Sequence, residues 1–238
     1  MKLLSLNVWQ GRLERVLLKH LETLEVDFAC MQEAVDISGQ SLGLVTSYQK
    51  VGKSLRLDQQ FFSQLISTKF GNKDMVFGNV TYSKIPFTQT CEVFTRGQHS
   101  KDHDFDNKDY NIRAFQHAVF LINGKKLNLI NHHGHHIDEH KLGDSETERQ
   151  VSQIMDYIQE LDGAVILCGD FNLSPESKSI KLIEASLENM STKYSLNTTR
   201  SNLTYKREVC DYIFVNDQVK VNNFAMDTTI ISDHNARI

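Results

Sequence analysis

Residues 164–172 read AVILCGDFN, an almost wholly apolar run that ends in a short polar stretch. A strand that is apolar at nearly every position is typical of a sheet covered on both faces. Asp170 and Asn172 then stand at the carboxyl end of that strand, where the chain returns to solvent. This stretch therefore predicts a buried strand, over residues 164–168, with functional side chains at its edge.

Six further runs have the same apolar, β-rich character and predict strands. Many strands with few helices indicate two sheets packed face to face, with the helices outside. We expect a single domain over residues 1–238, because no linker, repeat or low-complexity tract divides the chain. The six runs are residues 2–7, 26–32, 75–82, 115–122, 126–131 and 212–215.

Three segments predict helices from the spacing of their apolar residues. The second is expected to start with a capping box made by Ser145 and Glu148, and the third to start at Ser174 and Pro175. The apolar face of the first helix contains Leu13, Val16, Leu17, His20, Leu21 and Leu24, and that of the second contains Val151, Ile154, Met155, Ile158 and Leu161.

Composition narrows the class of protein. A net charge of −4 over 238 residues gives no overall field that would draw the protein to nucleic acid or to an acidic membrane. No run is long enough to span a membrane, and the amino terminus lacks a signal-peptide pattern, so we expect a soluble, cytoplasmic protein. The four widely spaced cysteines, of which Cys30 and Cys168 lie in apolar runs, indicate core residues rather than a zinc site or a disulfide framework.

Residues 95–111 are strongly polar and predict an exposed loop.

Polar side chains stand at the edges of the predicted strands throughout the chain. Any one of them alone is as easily explained by a turn or by the chain surface. Together they supply hard oxygen ligands for Mg²⁺, a base for water and donors for phosphate oxygens, which metal-assisted phosphoester hydrolysis requires. These residues are Asn7, Glu33, His133, Asp170, Asn172, Asp211, Asp233 and His234.

The motifs around these residues resemble the endonuclease/exonuclease/phosphatase superfamily of deoxyribonuclease I-like, metal-dependent phosphoesterases. GDFN, together with an early QE and a terminal SDH, is the specific part of the resemblance, which runs from Leu4 to His234. The matching pieces, in order, are LSLNVW, MQE, GNVTYSKIP, NIRAFQHAVF, INHHG, GDFN, CDYIF and SDH.

The resemblance implies a fold class and a set of residue roles. The fold would be α/β: a four-layer α/β sandwich of two packed, mostly antiparallel sheets flanked by helices. Glu33 would bind Mg²⁺, or alternatively Mn²⁺, with Asn7 and Asp233 near the metal or holding its water. Asp170 would deprotonate the attacking water, and Asn172 would hold that water or the phosphate. His234, kept charged by Asp211, and His133 would contact phosphate oxygens.

Arg113, Asn79 and Tyr82 are further residues near the predicted site. Arg113 is expected either to bind the substrate phosphate or to form a surface salt bridge. Asn79 and Tyr82 fall in the segment that lies next to the site in relatives, where Tyr82 is expected to be a packing residue. The chain ends four residues after His234, so the last strand is expected to be short. Either the chain is trimmed there, or that edge of the sheet is weakly held.

The histidine cluster HHGHHIDEH, residues 132–140, also resembles a zinc site by composition. Strand alternation puts His132 and His133 on opposite faces, so both cannot bind one ion without a bend. The resemblance selects His133. His135 and His136 are expected in a loop over the site, either contacting substrate or exposed to solvent.

Three functions remain open from the sequence. The leading hypothesis is a small bacterial-type hydrolase acting on a phosphodiester or phosphomonoester, with the substrate, a small molecule or a nucleic acid, undetermined. The second is a DNA repair or degrading nuclease, against which the acidic balance and the absence of a Lys/Arg-rich stripe argue. The third is a catalytically silent binding module. No obligate protein partner is evident.

Overall fold

Two six-stranded sheets form the centre of the computed structural model, which describes residues 1–37, 43–106 and 109–238. All seven runs predicted to be strands are strands. In chain order the strands are β1 (Leu3–Asn7), β2 (Phe28–Asp36), β3 (Gln59–Phe70), β4 (Lys73–Ser83), β5 (Gln89–Arg96), β6 (Arg113–Ile122), β7 (Lys125–His133), β8 (Ala164–Asp170), β9 (Glu188–Asn189), β10 (Asp211–Val215), β11 (Met226–Asp227) and β12 (Ala236–Arg237).

The strand order is β11-β12-β1-β2-β4-β3 in the first sheet and β5-β6-β7-β8-β10-β9 in the second. Pairing is antiparallel except between β1 and β2 and between β7 and β8. The last strand, β12, is two residues long, as expected, and pairs with β1 and β11. The predicted pair of mostly antiparallel sheets is therefore confirmed.

Four of the five α-helices that the structure describes pack on the outer faces of the two sheets, and the fifth, which is the shortest, contributes Met190 to the core between them. In chain order these helices are α1 (Glu14–Leu21), α2 (Tyr48–Leu55), α3 (Ser145–Gln159), α4 (Lys178–Glu184) and α5 (Met190–Lys193). Leu17 of α1 and Val51 of α2 share a core with the first sheet, whereas Ile154 of α3 and Ile183 of α4 share a core with the second. A third apolar core lies between the sheets and includes Cys30 and Cys168, so the order of layers is helix, sheet, sheet, helix.

Buried amides hold the two sheets together next to this apolar core. Asn131 of β7 donates from Nδ2 to the carbonyls of Met31 and Val80 in the first sheet, at 3.2 and 3.1 Å. Nε2 of Gln32 donates back to Oδ1 of Asn131 at 2.7 Å. Because a buried amide left without a partner is costly, these bonds fix the register of one sheet against the other.

The structure corrects three details of the helices. The capping box of α3 is made by Asp144 and Thr147, not by Ser145 and Glu148, because the Asp144 side chain accepts from the Thr147 amide. Helix α4 starts after Ser177, whose hydroxyl caps it, so Ser174 and Pro175 precede the helix. Val16 is half exposed, because the buried face of α1 is formed by Leu17 and Leu21.

The predicted loop over residues 95–111 is confirmed only in part. Thr95 and Arg96 complete β5, and Thr95 and His103 are buried rather than exposed. His103 is held by its backbone amide, which donates to the Ser67 carbonyl of β3 at 2.8 Å. Residues 107 and 108 of this segment lie outside the described residues.

Strand direction brings the ends of several strands to one edge of the sandwich. Asn7 ends β1, and His133 and Asp170 end the parallel strands β7 and β8 as direct partners. Asp211 begins β10, which runs antiparallel to β8, and faces Asp170 across the ladder. The polar side chains that the sequence distributes along the chain therefore meet at this edge. No helix within the described residues has the length and apolar character needed to cross a bilayer.

Candidate active site

Glu33 is turned toward this edge by an irregularity inside β2. The pairing of β2 with β4 shifts register between Met31 and Ala34, and Glu33 has a φ of 53°. A bulge of this kind re-aims one side chain without ending the strand. Strand β2 continues to Asp36, so the expectation that Glu33 ends its strand is wrong, although its placement at the site edge is as expected.

Asn7 joins the two carboxylates of the site. Its Nδ2 donates to Oε1 of Glu33 at 2.9 Å and to Oδ2 of Asp170 at 3.0 Å. Its Oδ1 accepts from the backbone amide of Trp9 at 3.0 Å, which fixes the orientation of the amide group. Asn7 therefore contacts both carboxylates as a donor, and Gln10 also hydrogen-bonds to Glu33.

His234 and Asp211 form a buried pair beside Asp170. Nδ1 of His234 lies 2.9 and 3.0 Å from the two oxygens of Asp211, and its Nε2 lies 3.6 Å from Oδ2 of Asp170. Burial alone would lower the pKa of His234, but Asp211 and then Asp170 outweigh it and raise this pKa above its ordinary value. The carboxylate of Asp211 thus favours the imidazolium form.

Asp170 lies among cationic and hydrogen-bonding groups. Burial would raise its pKa, but the charges of His234, Arg200 and His133 outweigh burial and hold it well below the ordinary range. Glu33 differs, because burial raises its pKa and the hydrogen bond from Asn7 only partly opposes this. The two carboxylates that share Asn7 therefore have opposite protonation tendencies.

Arg200 is a site residue that the sequence did not indicate. Its backbone forms an isolated antiparallel bridge with His234, and its Nη1 contacts Nε2 of that ring. Nη1 also lies 3.8 Å from Oδ2 of Asp233. Although burial would lower the pKa of Arg200, the neighbouring carboxylates of Asp170 and Asp211 raise it. The guanidinium is therefore a fixed positive charge beside the imidazole.

His133 and Asn172 complete the ring around Asp170. Nε2 of His133 lies 4.0 Å from Oδ2 of Asp170, and burial, reinforced by Arg113, lowers the pKa of His133 well below its ordinary value. Asn172, with a φ of 56°, donates from its backbone amide to Oδ1 of Asp170 at 2.9 Å. Lys141 donates from Nζ to the side-chain Oδ1 of Asn172 at 3.4 Å. The Asn172 amide therefore holds Oδ1 of Asp170, whereas Asn7 and His133 both lie near Oδ2.

Arg113 matches neither of its two expected settings fully. It is buried, and its guanidinium donates to backbone carbonyls, including that of Gly134 from Nε at 2.6 Å, and to Oδ1 of Asn111 from Nη2 at 2.8 Å. A surface salt bridge is therefore excluded. Burial lowers the pKa of Arg113 to about 10, with Glu33 acting in the opposite direction. Arg113 lines the pocket described below, so substrate contact stays a prediction.

The histidine cluster separates into three environments. His132 is buried against the ring of Phe171, with centroids 5.1 Å apart, and lies apart from His133, as strand alternation predicts. His135 turns toward Asp144, with Nε2 and Oδ2 3.9 Å apart, and does not line the pocket. His136 does line it, and burial followed by Lys141 lowers its pKa to about 4.

One open pocket of about 440 Å³ lies at this edge, and its polar lining includes His133, His136, His234 and Asn172. Its cationic side chains are Arg12, Arg113, Arg200 and Lys206, its acidic side chains are Glu33, Asp170 and Asp233, and its aromatic rings include Trp9, Phe77, Phe105 and Tyr110. Asn79 also lines the pocket, with no hydrogen-bond partner for Oδ1 in the described residues. Tyr82 is fully buried and packs in the core, as predicted.

Two sets of side chains are suited to holding a cation. Asp170, Asp211 and His234 each offer a ligand atom within 4.8 Å of the others, and this buried group could hold a metal ion. However, Asp211 already pairs with His234 and with Arg237, at 3.0 Å, so a cation there would have to displace two partners. Glu33 and Asp170 offer only hard oxygen atoms, which are the ligands of Mg²⁺ and Mn²⁺, and both lie against the pocket. The donor set at Glu33 therefore fits such a cation better.

The model of the family described as Endonuclease/Exonuclease/phosphatase matches residues 4–234. No curated protein matches the chain.

Solved structures share the whole fold at low sequence identity. An endonuclease/exonuclease/phosphatase family protein from Leptotrichia buccalis C-1013-b has a TM-score of 0.71 and 16% identity, and the match covers 100% of this chain and 97% of that one. The endonuclease/exonuclease/phosphatase from Bacteroides vulgatus has a TM-score of 0.70 and 18% identity, with 99% and 95% covered. Humanized D. rerio TDP2 has a TM-score of 0.68 and 17% identity, with 99% and 96% covered. These matches are to deoxyribonuclease I-like folds.

Proposed function

This chain belongs to the endonuclease/exonuclease/phosphatase family, and from that premise we propose that it is a divalent-metal-dependent hydrolase of phosphate esters. The observation that carries the proposal is the setting of Asp170, a buried carboxylate between Asn7, His234 and His133 at the floor of an open pocket. An ionised carboxylate held in this way is suited to accept a proton from a bound water.

The amide neighbours of Asp170 orient it for that role, and its cationic neighbours keep it ionised. The amides of Asn7 and Asn172 donate to different oxygens of Asp170, which fixes the plane of the carboxylate. The low pKa of Asp170 keeps it ionised near neutral pH. A water that approaches from the pocket would lose its proton to Asp170, and its oxygen would then attack the phosphorus as the ester oxygen leaves.

Cationic side chains would then stabilise the phosphate oxygens. His234, with its pKa raised by Asp211, and Arg200 present positive charge at the same point of the pocket wall. Donors that are already oriented toward developing charge lower the barrier without reorganisation. His133, whose pKa is low and whose Nε2 also lies near Oδ2 of Asp170, would donate a neutral hydrogen bond to the phosphate.

The metal would be held by Glu33, with Asp170 and Asp233 as further oxygen donors and Asn7 as the group that orients the two carboxylates. A bound Mg²⁺ or Mn²⁺ would neutralise charge on the phosphate and favour ionised Glu33, whose pKa burial otherwise raises. Asn172 and Arg113 remain proposed phosphate-binding groups, and His136 is a better candidate than His135 for contact with the rest of the substrate.

The proposal is tested by the hydrolysis of bis-p-nitrophenyl phosphate with Mg²⁺ or Mn²⁺. Wild type should turn over only with added cation and stop with EDTA, and Asp170→Ala should lose at least two orders of magnitude in kcat. The matched control is Asp217→Ala, which removes an exposed carboxylate that does not line the pocket and should keep full activity. A wild-type protein inactive with every cation, on this ester and on a panel of plasmid, abasic DNA, poly(A), sphingomyelin and inositol phosphates, would support a silent binding module instead.

A nuclease is the second candidate, and the aromatic rings in the pocket favour it, since bases stack on such rings. The dependence of substrate binding on salt concentration distinguishes a nuclease from an enzyme that acts on small esters. Binding of a nucleic acid through several phosphates should weaken steeply between about 50 and 200 mM salt, whereas binding of a small ester should change little. Measuring the Kd of Asp170→Ala for DNA and for a small ester product over this range decides between them.

A further inference from the structure

A second cavity, of about 680 Å³, opens at the edge of the sandwich opposite the candidate active site. The same strands reach both edges. Leu3 begins β1, whose other end is Asn7; Ala164 begins β8, whose other end is Asp170; and Val215 ends β10, which begins at Asp211. The volume lies within the range of about 300–1,000 Å³ that small-molecule sites usually have. The cavity is therefore separate from the site already described.

The walls of this cavity are apolar and come from both sheets. Phe28 is contributed by β2, and Leu129 and Ile213 are contributed by β7 and β10. The segment after β10 adds Val221 and Phe224. These apolar side chains offer no hydrogen bonds, so a polar ligand in contact with them would be desolvated without compensation. The amide side chains that also line the cavity are all exposed: Asn123, Gln218, Asn222 and Asn223.

The mouth of the cavity has the opposite chemistry. Four exposed lysines line it, namely Lys2, Lys125, Lys126 and Lys220. Their side chains form no hydrogen bond or ion pair with any described residue, and no Asp or Glu is among the described residues that line the cavity. Ile238, whose carbonyl oxygen accepts from the Ala225 amide at 2.9 Å, brings the terminal main-chain carboxyl group to the same cavity. The chain carries a net charge of −4. The patch of four unpaired lysines beside the apolar cavity is therefore positively charged in a protein that is negatively charged overall.

We propose that this cavity binds a medium- or long-chain fatty acid, with the acyl chain between the two sheets and the carboxylate among the four lysines. Charge complementarity at the mouth and apolar walls inside match an amphiphilic anion with one chain. A nucleotide or sugar phosphate would satisfy the lysines but not the walls, and a neutral lipid would satisfy the walls but not the lysines. The proposal does not depend on the function of the pocket at the other edge.

The test is displacement of a fluorescent fatty acid, 11-(dansylamino)undecanoic acid, by saturated carboxylates of 8, 10, 12 and 14 carbons, in EDTA to keep cations out of the other pocket. Affinity should rise roughly fourfold per added methylene until the cavity is full. The methyl ester of the 12-carbon acid should bind at least tenfold more weakly than the acid. Affinity independent of chain length, or equal for acid and ester, would overturn the proposal.

Two variants locate the ligand. Ala164→Phe, which projects a ring from the half-buried start of β8 into the cavity, should abolish displacement. Lys125→Glu with Lys220→Glu should weaken carboxylate binding at least tenfold and leave the methyl ester unchanged. The matched control reverses Lys19 and Lys84, two exposed lysines that do not line the cavity, and should bind as wild type does.

Folding of Ala164→Phe is checked by its unfolding midpoint and by turnover of bis-p-nitrophenyl phosphate, measured separately with metal. If that variant does not fold, the lysine pair decides alone, because it changes only exposed side chains. Binding that is the same in the Lys125/Lys220 pair and in the Lys19/Lys84 pair would place the fatty acid elsewhere and overturn the proposal.

Discussion

Nη1 of Arg237 lies 3.0 Å from Oδ1 of Asp211, the carboxylate that also faces Nδ1 of His234, and both Arg237 and Asp211 are fully buried. Arg237 donates further to the Asn235 carbonyl at 2.8 Å and to the Ser5 hydroxyl at 3.3 Å. The last strand is thus tied by one guanidinium both to β1 and to the candidate active site. Asp211 therefore has two buried partners, His234 and Arg237.

The first prediction concerns the loss of that guanidinium. Arg237→Leu should lower the free energy of unfolding by about 3–5 kcal/mol, because it leaves a buried carboxylate with one partner fewer. Urea unfolding measures the change, beside Arg15→Leu, which removes an exposed arginine of α1. A loss below about 1 kcal/mol would show that Asp211 does not need Arg237.

The second prediction concerns the pH dependence of turnover. The pKa of His234 is raised against burial by Asp211 above all, so the active imidazolium should persist to a higher pH than that of an ordinary histidine. Activity is then lost as the pH rises through that pKa. In Asp211→Asn the charge is absent, and the alkaline limb of kcat/KM should move down by roughly 1–3 pH units. An alkaline limb at the same pH in both proteins would contradict the role given to Asp211.

The strands that the sequence predicted and those it missed differ in position within the sheets. The seven predicted strands are the interior strands of the two described sheets apart from the two-residue β12, and most of their residues are buried and apolar. The longer missed strands, β3 and β5, are edge strands of the two sheets, and their exposed positions carry polar residues. Their pairing is decided by β4 and β6, so no local pattern reveals it.

The candidate site was also predictable only in part, because its motif residues were found from the sequence and Arg200 was not. Asn7, Glu33, Asp170 and His234 lie within motifs; the last three line one pocket, and Asn7 hydrogen-bonds to Glu33 and Asp170 behind it. Arg200 was missed because it lies outside helices and strands and reaches the pocket through a backbone bridge to His234. A contact of this kind depends on tertiary pairing and leaves no spacing in the sequence.

The third prediction tests Arg200. Arg200→Ala should reduce kcat for bis-p-nitrophenyl phosphate by about 10²–10³, the cost of removing one pre-oriented donor. Arg200→Lys should recover part of the loss, since it restores charge but not the planar guanidinium. Arg207→Ala is the control, because Arg207 is exposed and does not line the pocket. A change of less than threefold in Arg200→Ala would remove Arg200 from the proposed mechanism.

The fourth prediction concerns the pH dependence of stability and rests on His132. Burial, and then the charge of Arg113, lower the pKa of His132 to about 3, against an ordinary value of 6.5. Between these two values the unfolded chain binds a proton that the folded chain does not. The contribution of neutral His132 is therefore fully present above pH 6.5 and is lost as the pH falls toward 3.

His132→Phe removes this titration and keeps a ring against Phe171. Urea unfolding of wild type and His132→Phe at pH 7.5, 5.5 and 4.5 should show wild type losing stability relative to the variant, by at most about 1.4 kcal/mol per pH unit below pH 6.5. Phe171→Leu is the control, because it alters the same contact without a titrating group, so its difference from wild type should not depend on pH. A difference between wild type and His132→Phe that is also constant from pH 7.5 to 4.5 would mean that His132 accepts a proton in the folded protein as readily as in the unfolded chain.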